Sequence, residues 1–196
     1  MRCINPRDYT SDNYARVDDR PFGGGPGMVM LYAPLAAATS EAKRSLPKAQ
    51  VWLMSPLGPR FSQKNAQAWS HTEELILVCG RYEGLDQRYI DEFIDAHLSL
   101  GDFVLSGGEY AALAMLDASI RLLPDAVQDP ESVVQESFTQ ALLDHPHYTR
   151  PVEINGQEVP EVLRSGNHAA IKKWREAQSL RLTRQHRPDL LTNGVD

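Results

Sequence analysis

Short apolar runs alternate with stretches of helical period along the first two thirds of the chain. Gln50 to Ser55 (Q-V-W-L-M-S) reads as a buried strand and ends in Pro56-Leu57-Gly58-Pro59. Leu75 to Gly80 (L-I-L-V-C-G) is apolar on both faces, the pattern of a strand in the middle of a sheet covered on both sides. It runs into Arg81-Tyr82-Glu83-Gly84. Two further apolar runs follow, Leu98 to Gly101 and Phe103-Val104-Leu105. The second enters Ser106-Gly107-Gly108, giving a strand, a glycine turn and then a helix. That helix has its period at Ala112, Met115, Leu116, Ser119 and Ile120 and ends near Leu123-Pro124. Leu35 to Leu46, Phe61 to Trp69 and Asp86 to Phe93 read as helices between the strands. Strands alternating with helices predict a parallel α/β sheet, and in such sheets ligands bind at the carboxyl ends of the strands. Glycine turns stand at the predicted strand ends: Ser55-Pro56-Leu57-Gly58, Gly80 to Gly84, Gly101 and Gly107-Gly108. Such turns let backbone approach a ligand closely with amide groups free to bind it. Their convergence makes a cofactor pocket the leading reading, with plain strand-to-helix turns as the alternative.

The flanks break this pattern. Met1 to Arg20 is polar, with turn chemistry and nothing that would nucleate a core. Pro21-Phe22-Gly23-Gly24-Gly25-Pro26-Gly27-Met28 can be neither helix nor ordinary strand. With apolar Phe22 and Met28 flanking it, it reads as an ordered loop; a flexible linker is the alternative. Asp125 to Glu136 is acidic and lacks a period, as a linker does. Ser137 to Leu143 reads as a short helix, His145 to Pro151 as a rigid loop, and Val159 to Asn167 leads into a basic helix over His168 to Ser179. The organisation expected is an α/β domain over 1–124, a linker over 125–136 and a small, mostly helical module over 137–196.

A chain of 196 residues suits one α/β domain with something small appended. No run is apolar enough to span a bilayer and no signal-peptide pattern opens the sequence, so the expectation is a soluble, cytoplasmic protein without a membrane partner. Cys3 and Cys79 have neither metal-ligand nor redox spacing, and Cys79 reads as a small buried hydrophobe. The net charge of −6 argues against a protein coated in nucleic acid, but the charge is unevenly placed. Arg164, Lys172, Lys173, Arg175, Arg181, Arg184 and Arg187 face one acid, Glu176, in their segment. That asymmetry points to a local polyanion-binding surface, against the alternative of a solvated helix with one buried Trp174.

The motifs D-D-R-P-F-G-G-G-P-G-M, C-G-R-Y-E-G-L-D-Q-R, G-D-F-V-L-S-G-G-E, P-H-Y-T-R-P and S-G-N-H-A-x-I-x-x-W-R follow one another in one order. Together they closely resemble the bacterial tRNA (guanine-N1)-methyltransferases, from Asn5 to about Leu191. The resemblance implies a trefoil-knotted, SPOUT-like α/β methyltransferase domain, followed by a helical domain that helps hold tRNA. It also implies a homodimer with its active sites at the subunit interface, S-adenosyl-L-methionine bent in the knot loops, and magnesium supporting activity. The substrate it implies is tRNA, methylated at N1 of the guanosine 3′ of the anticodon. Carried over residue by residue, the cofactor loops are Met54, Ser55, Pro56, Gly80, Tyr82, Glu83, Leu100, Gly101, Phe103, Leu105, Gly107 and Gly108. Glu83 matches the acidic residue near the methyl donor and magnesium, and Arg121 matches an arginine that acts on the guanine. His168, Lys172, Lys173 and Arg175 are the expected RNA contacts.

The chain departs from the family pattern at several places. Glu136, in V-V-Q-E-S-F, stands where the family has its aspartate general base, with the carboxylate one methylene farther out. Ala111 stands where a proline is usual, and His145 where a cysteine is common. The resemblance also implies an apolar strand and helix ahead of residue 1 and a longer C-terminus. Either coding sequence upstream has been lost or the chain is a shortened relative. These departures keep a second reading beside the active enzyme: a tRNA-binding, catalytically impaired relative or dimer scaffold.

Overall fold

The computed structural model describes residues 1–127 and 136–192. The chain forms two compact units, Met1–Ala126 and Val127–Asp196. Most of the acidic stretch expected as a linker, 128–135, lies outside the described residues.

In the first unit a three-stranded parallel sheet holds the core. Its central strand is Gln50–Met54 (β3), flanked by Leu75–Val78 (β4) and Ala96–Leu98 (β5). In register, Leu53 stands opposite Val78 and His97, and Met54 opposite Leu98. The valine, tryptophan and leucine of β3 suit a pleated surface filled from both faces. On one face Met54, Leu98, Trp52 and Leu77 pack against Trp69 of helix Gln63–Ser70 (α2) and against Ala111, Ala112 and Met115 of helix Glu109–Ile120 (α4). Trp69 meets both Trp52 and Phe61 edge to face, at centroid separations of 5.6 Å. On the other face Val78 joins Met30, Leu35 and Tyr89, from strand Val29–Met30 (β2) and helices Tyr32–Ser45 (α1) and Gln87–Phe93 (α3).

One buried polar pair fixes α1 to α3. The Tyr89 hydroxyl, in a side chain with no exposure, lies 2.7 Å from Thr39 Oγ1. Burial raises the Tyr89 pKa and keeps the phenol neutral. Tyr89→Phe leaves the Thr39 hydroxyl without this partner and is expected to cost about 0.5–1.5 kcal/mol. A urea titration checks this: the midpoint should fall with an unchanged slope.

The sequence expectations need several corrections. Leu75–Val78 is an edge strand of this sheet, half-buried at every residue, and the middle position belongs to β3. Helices cover the faces of edge and central strands alike, so an all-apolar run does not specify lateral position. Phe103-Val104-Leu105 is not a strand; its residues are 58%, 97% and 39% exposed. Helix α4 stops at Ile120, itself half exposed, with Ala111 in the core instead. The opening segment is not inert: it carries a 3₁₀ turn over Pro6–Tyr9 capped by Asn5, and it buries Val17. Asp18–Asp19 (β1) pairs antiparallel with β2, so the glycine-rich stretch is the loop of a hairpin closed at both ends. Phe22 does not anchor that loop, because its side chain is fully exposed.

In the second unit Ser137 to Leu143 forms turns rather than a helix. Phe138 and Ala141 adopt left-handed backbone, at φ 73° and 54°, which no right-handed helix contains. Glu153–Ile154 (β6) and Gln157–Glu158 (β7) form a hairpin about Asn155-Gly156, both at positive φ. After Glu161–Arg164 (α5), the basic helix runs over His168–His186 (α6), farther than Ser179, with Asn167 as its N-cap. It meets no breaker until Pro188, which precedes Asp189–Thr192 (α7).

Candidate active site

The carboxyl ends of β3, β4 and β5 open on one side of the sheet, as parallel strands require. The chain crosses itself closely there. Ser55 N–H donates to Leu98 O at 3.0 Å, Ser99 N–H to Pro59 O at 2.9 Å, and Phe61 N–H to Ser99 O at 2.8 Å. A side chain on Gly58 would lie 2.3 Å from the His97 carbonyl, so glycine is what permits this crossing. The start of α4 closes on the end of β4 in the same way. Gly108 N–H donates to Gly80 O at 2.9 Å, and a Cβ on Gly108 would lie 2.9 Å from Cys79 Cα and 3.1 Å from Met54 Cβ.

Between these loops lies a cavity of about 480 Å³. Its wall includes every residue that the resemblance assigns to the cofactor loops: Met54, Ser55, Pro56, Gly80, Tyr82, Glu83, Leu100, Gly101, Phe103, Leu105, Gly107 and Gly108. Phe103, Val104 and Leu105, released from the sheet, form part of the lining. Glu83 is the carboxylate in the wall. Its loop runs beside β2: Glu83 N–H donates to Met28 O at 2.9 Å and Met30 N–H to Gly84 O at 2.8 Å. Gly27, at φ 79°, sits so close to Glu83 that an added Cβ would fall 2.4 Å from its carboxylate oxygen. The glycine-rich hairpin is therefore packed on the acid of the cavity.

Arg81 also lines the cavity and was not singled out from the sequence, although C-G-R-Y-E-G contains it. Its Nε lies 2.7 Å from Glu109 Oε1, and the pairing raises the arginine's pKa. Both side chains are about half exposed, so the pair positions the loop more than it stabilises the fold. Leu53, Ile90 and Ala111 complete an apolar floor that glycine spacing does not reveal. Burial, chiefly, pushes the Cys79 thiol up to about 11, which keeps it protonated and unreactive at neutral pH.

The remaining expected residues lie elsewhere. Arg121 follows α4 in the first unit, half-buried, with its N–H on Asp117 O at 3.3 Å. Glu136 belongs to the second unit and is also half-buried. His168, Lys172, Lys173 and Arg175 are all exposed on α6. His168, Lys172 and Arg175 fall four and then three residues apart, on one helical stripe. Among the described residues Lys172, Lys173 and Arg175 form no salt bridge, whereas Arg164 pairs with Glu158 and Arg187 with Asp189. No helix among the described residues is long and apolar enough to cross a membrane.

Known proteins match this chain over nearly its whole length. The family model described as tRNA (guanine-1)-methyltransferase TrmD matches residues 1–193. The tRNA (guanine-N(1)-)-methyltransferase of Burkholderia vietnamiensis is 50% identical over 199 aligned residues, covering 99% of this chain and 75% of its own length. That of Burkholderia ambifaria (strain MC40-6) is 51% identical over the same shares. That of Cupriavidus necator is 52% identical over 97% of this chain and 75% of its own. Similarity at this level, over nearly every residue that builds the sheet, the cavity and the basic helix, identifies the chain as a member of the tRNA (guanine-N1)-methyltransferase family.

Proposed function

We propose that this protein transfers a methyl group from S-adenosyl-L-methionine to N1 of the guanosine 3′ of the anticodon in tRNA, in the cytoplasm. The observation that carries the reading is the cavity at the strand ends, walled by glycines whose missing side chains leave backbone free to meet a flat ligand. Its volume lies in the range of small-molecule sites, and its apolar floor with amide-bearing rims suits an adenosine. Met54 to Pro56, Gly80 to Glu83, Leu100 to Leu105 and Gly107-Gly108 would hold the cofactor. The close crossings at Gly58 and Gly108 support a trefoil-knotted, SPOUT-like arrangement of the first unit. The second unit would be the tRNA-holding domain. Tyr110, Leu113 and Ile120, exposed at 69%, 54% and 50% along one face of α4, support a homodimer. Ala111 is buried in the first turn of α4, which supports the active enzyme over the impaired relative.

The bound cofactor supplies an electrophilic methyl on a good leaving group. The protein's own part is to remove a proton and stabilise charge. N1 of guanine carries a hydrogen, and that proton must leave N1 as the methyl arrives. Glu136 is the residue proposed to take that proton. Arg121 is proposed to stabilise the charge that develops at O6. Glu83, the carboxylate of the wall, is the group that would hold magnesium, an ion that prefers oxygen ligands.

The test is transfer of labelled methyl to a tRNA with guanosine at the target position and to the same tRNA with adenosine there. Label should enter the first and not the second. Equal labelling of both, or of neither, would overturn the reading. The basic stripe makes a separate prediction. If Lys172, Lys173 and Arg175 each meet a phosphate, replacing all three with alanine should lower tRNA affinity and reduce the slope of log affinity against log salt by about 2–3. Fluorescence anisotropy at several salt concentrations measures it.

A further inference from the structure

Among the described residues one cluster of metal-ligating side chains stands out: Asp144, His145 and His147, with candidate ligand atoms within 4.8 Å of one another. Asp144 Oδ1 lies 2.6 Å from His145 Nδ1, and Oδ2 lies 2.8 Å from His147 Nε2. The ring centroids are 4.4 Å apart. Two imidazole nitrogens thus converge on one carboxylate, with Pro146 stiffening the residue between them. The Asp144 side chain is 26% exposed and burial acts against its ionisation, but hydrogen bonds from both histidines hold its pKa below the ordinary range. It is a carboxylate, so each ring presents it with an N–H.

The cluster is held from outside. Asp144 N–H donates to Ser137 Oγ at 2.9 Å, and within the cluster His145 N–H donates to Asp144 Oδ1 at 2.7 Å. Leu143 N–H donates at 2.9 Å to Oγ1 of the fully buried Thr183 of α6. One side is closed by His145, 9% exposed, and the other is open to solvent through His147, 70% exposed. Preorganised donors, an outer shell and an entry path are what a metal site requires.

We propose that Asp144, His145 and His147 bind one divalent transition ion of the zinc class, with solvent in the fourth position. Two imidazoles and a carboxylate suit zinc, nickel or copper, whereas magnesium prefers an all-oxygen shell. On binding, each ring proton moves to the other ring nitrogen, His145 Nε2 and His147 Nδ1, or to solvent, freeing a lone pair for the metal. Tetrahedral zinc sets neighbouring ligand atoms about 3.3 Å apart, so one oxygen of Asp144 and one nitrogen of each ring, now within 4.8 Å of one another, reach that spacing by small side-chain rotations. Through the Asp144–Ser137 hydrogen bond, the ion fixes the turn that follows Glu136.

The test uses the full chain carrying Cys3→Ser, freed of metal by a chelator and titrated with Zn²⁺ by calorimetry and with Co²⁺ by absorption. One ion per chain is expected, with ligand-field bands of four-coordinate cobalt and affinity that falls in acid, because protons compete with the metal for its ligands. His147→Asn, at an exposed position, should weaken binding at least about tenfold. His71→Asn, far along the sequence, should not. His145→Cys should retain the ion and add a thiolate-to-cobalt charge-transfer band, a signature that a merely structural role would not produce. Absence of saturable one-site binding, full affinity in His147→Asn, or no such band in His145→Cys would overturn the proposal. None of these readouts depends on methyl transfer, so the two readings fail separately.

Discussion

Glu136→Gln is expected to lower methyl transfer by about 10²–10⁴-fold while cofactor affinity stays within about twofold. An amide of nearly the same shape can still accept a hydrogen bond from N1, but it cannot take the proton. Every proposed cofactor contact lies in the first unit, on the strand-end loops, and Glu136 lies in the second. The substitution should therefore leave calorimetric binding of S-adenosyl-L-methionine intact and remove turnover at saturating tRNA. Glu136→Asp should keep activity, because an aspartate retains the carboxylate that the proposed proton transfer needs. If Glu136→Gln transfers methyl at the native rate, another group takes the N1 proton.

Gly108→Ala is expected to destabilise the first unit by about 1–3 kcal/mol and to lower methyl transfer by about 10²-fold. The backbone of Gly108 is ordinary right-handed helix, φ −74° and ψ −10°, so the penalty does not arise from conformation. It arises from space. The new methyl would meet Cys79 Cα at 2.9 Å, Gly80 N at 3.1 Å and Met54 Cβ at 3.1 Å, none of them the end of a flexible side chain. Helix α4 must retreat from the end of β4, straining the Gly108–Gly80 hydrogen bond and moving two walls of the cavity apart. Gly156→Ala makes the contrast. At φ 76° with nothing within 4 Å, it carries only backbone strain, about 1–2 kcal/mol, in a hairpin of the second unit. Urea denaturation beside cofactor calorimetry separates the two: the first variant should lose both stability and affinity, the second stability alone.

The parallel sheet was legible because β3 and β4 are short apolar runs that end at glycine or proline, with helical periods between them. Strand order was not. Leu75–Val78 reads as central from its own residues, and only the pairing of β3 with both neighbours shows it at an edge. Phe103 to Leu105 misled for a related reason: apolarity there serves a cavity wall, not a sheet. Ser137 to Leu143 contains good helix formers, yet left-handed backbone at Phe138 and Ala141 turns the chain. Asn155-Gly156 is a strong short turn signal, but the two-residue strands beside it, Glu153–Ile154 and Gln157–Glu158, are too short to show a period of their own. The rim of the cavity was legible from its glycines, whose spacing marks close approach. Its floor, Leu53, Ile90 and Ala111, looks like any core. The Asp144, His145 and His147 cluster was hidden because proline and turn chemistry suggested only a rigid loop.

The most direct measurement is the identity of the methylated base. After reaction of the native protein with tRNA and labelled S-adenosyl-L-methionine, nuclease digestion and mass mapping should place one N1-methylguanosine 3′ of the anticodon. Replacement of that guanosine should abolish the product. Label at another base or another ring atom, or unmodified tRNA despite cofactor bound in the strand-end cavity, would contradict the account.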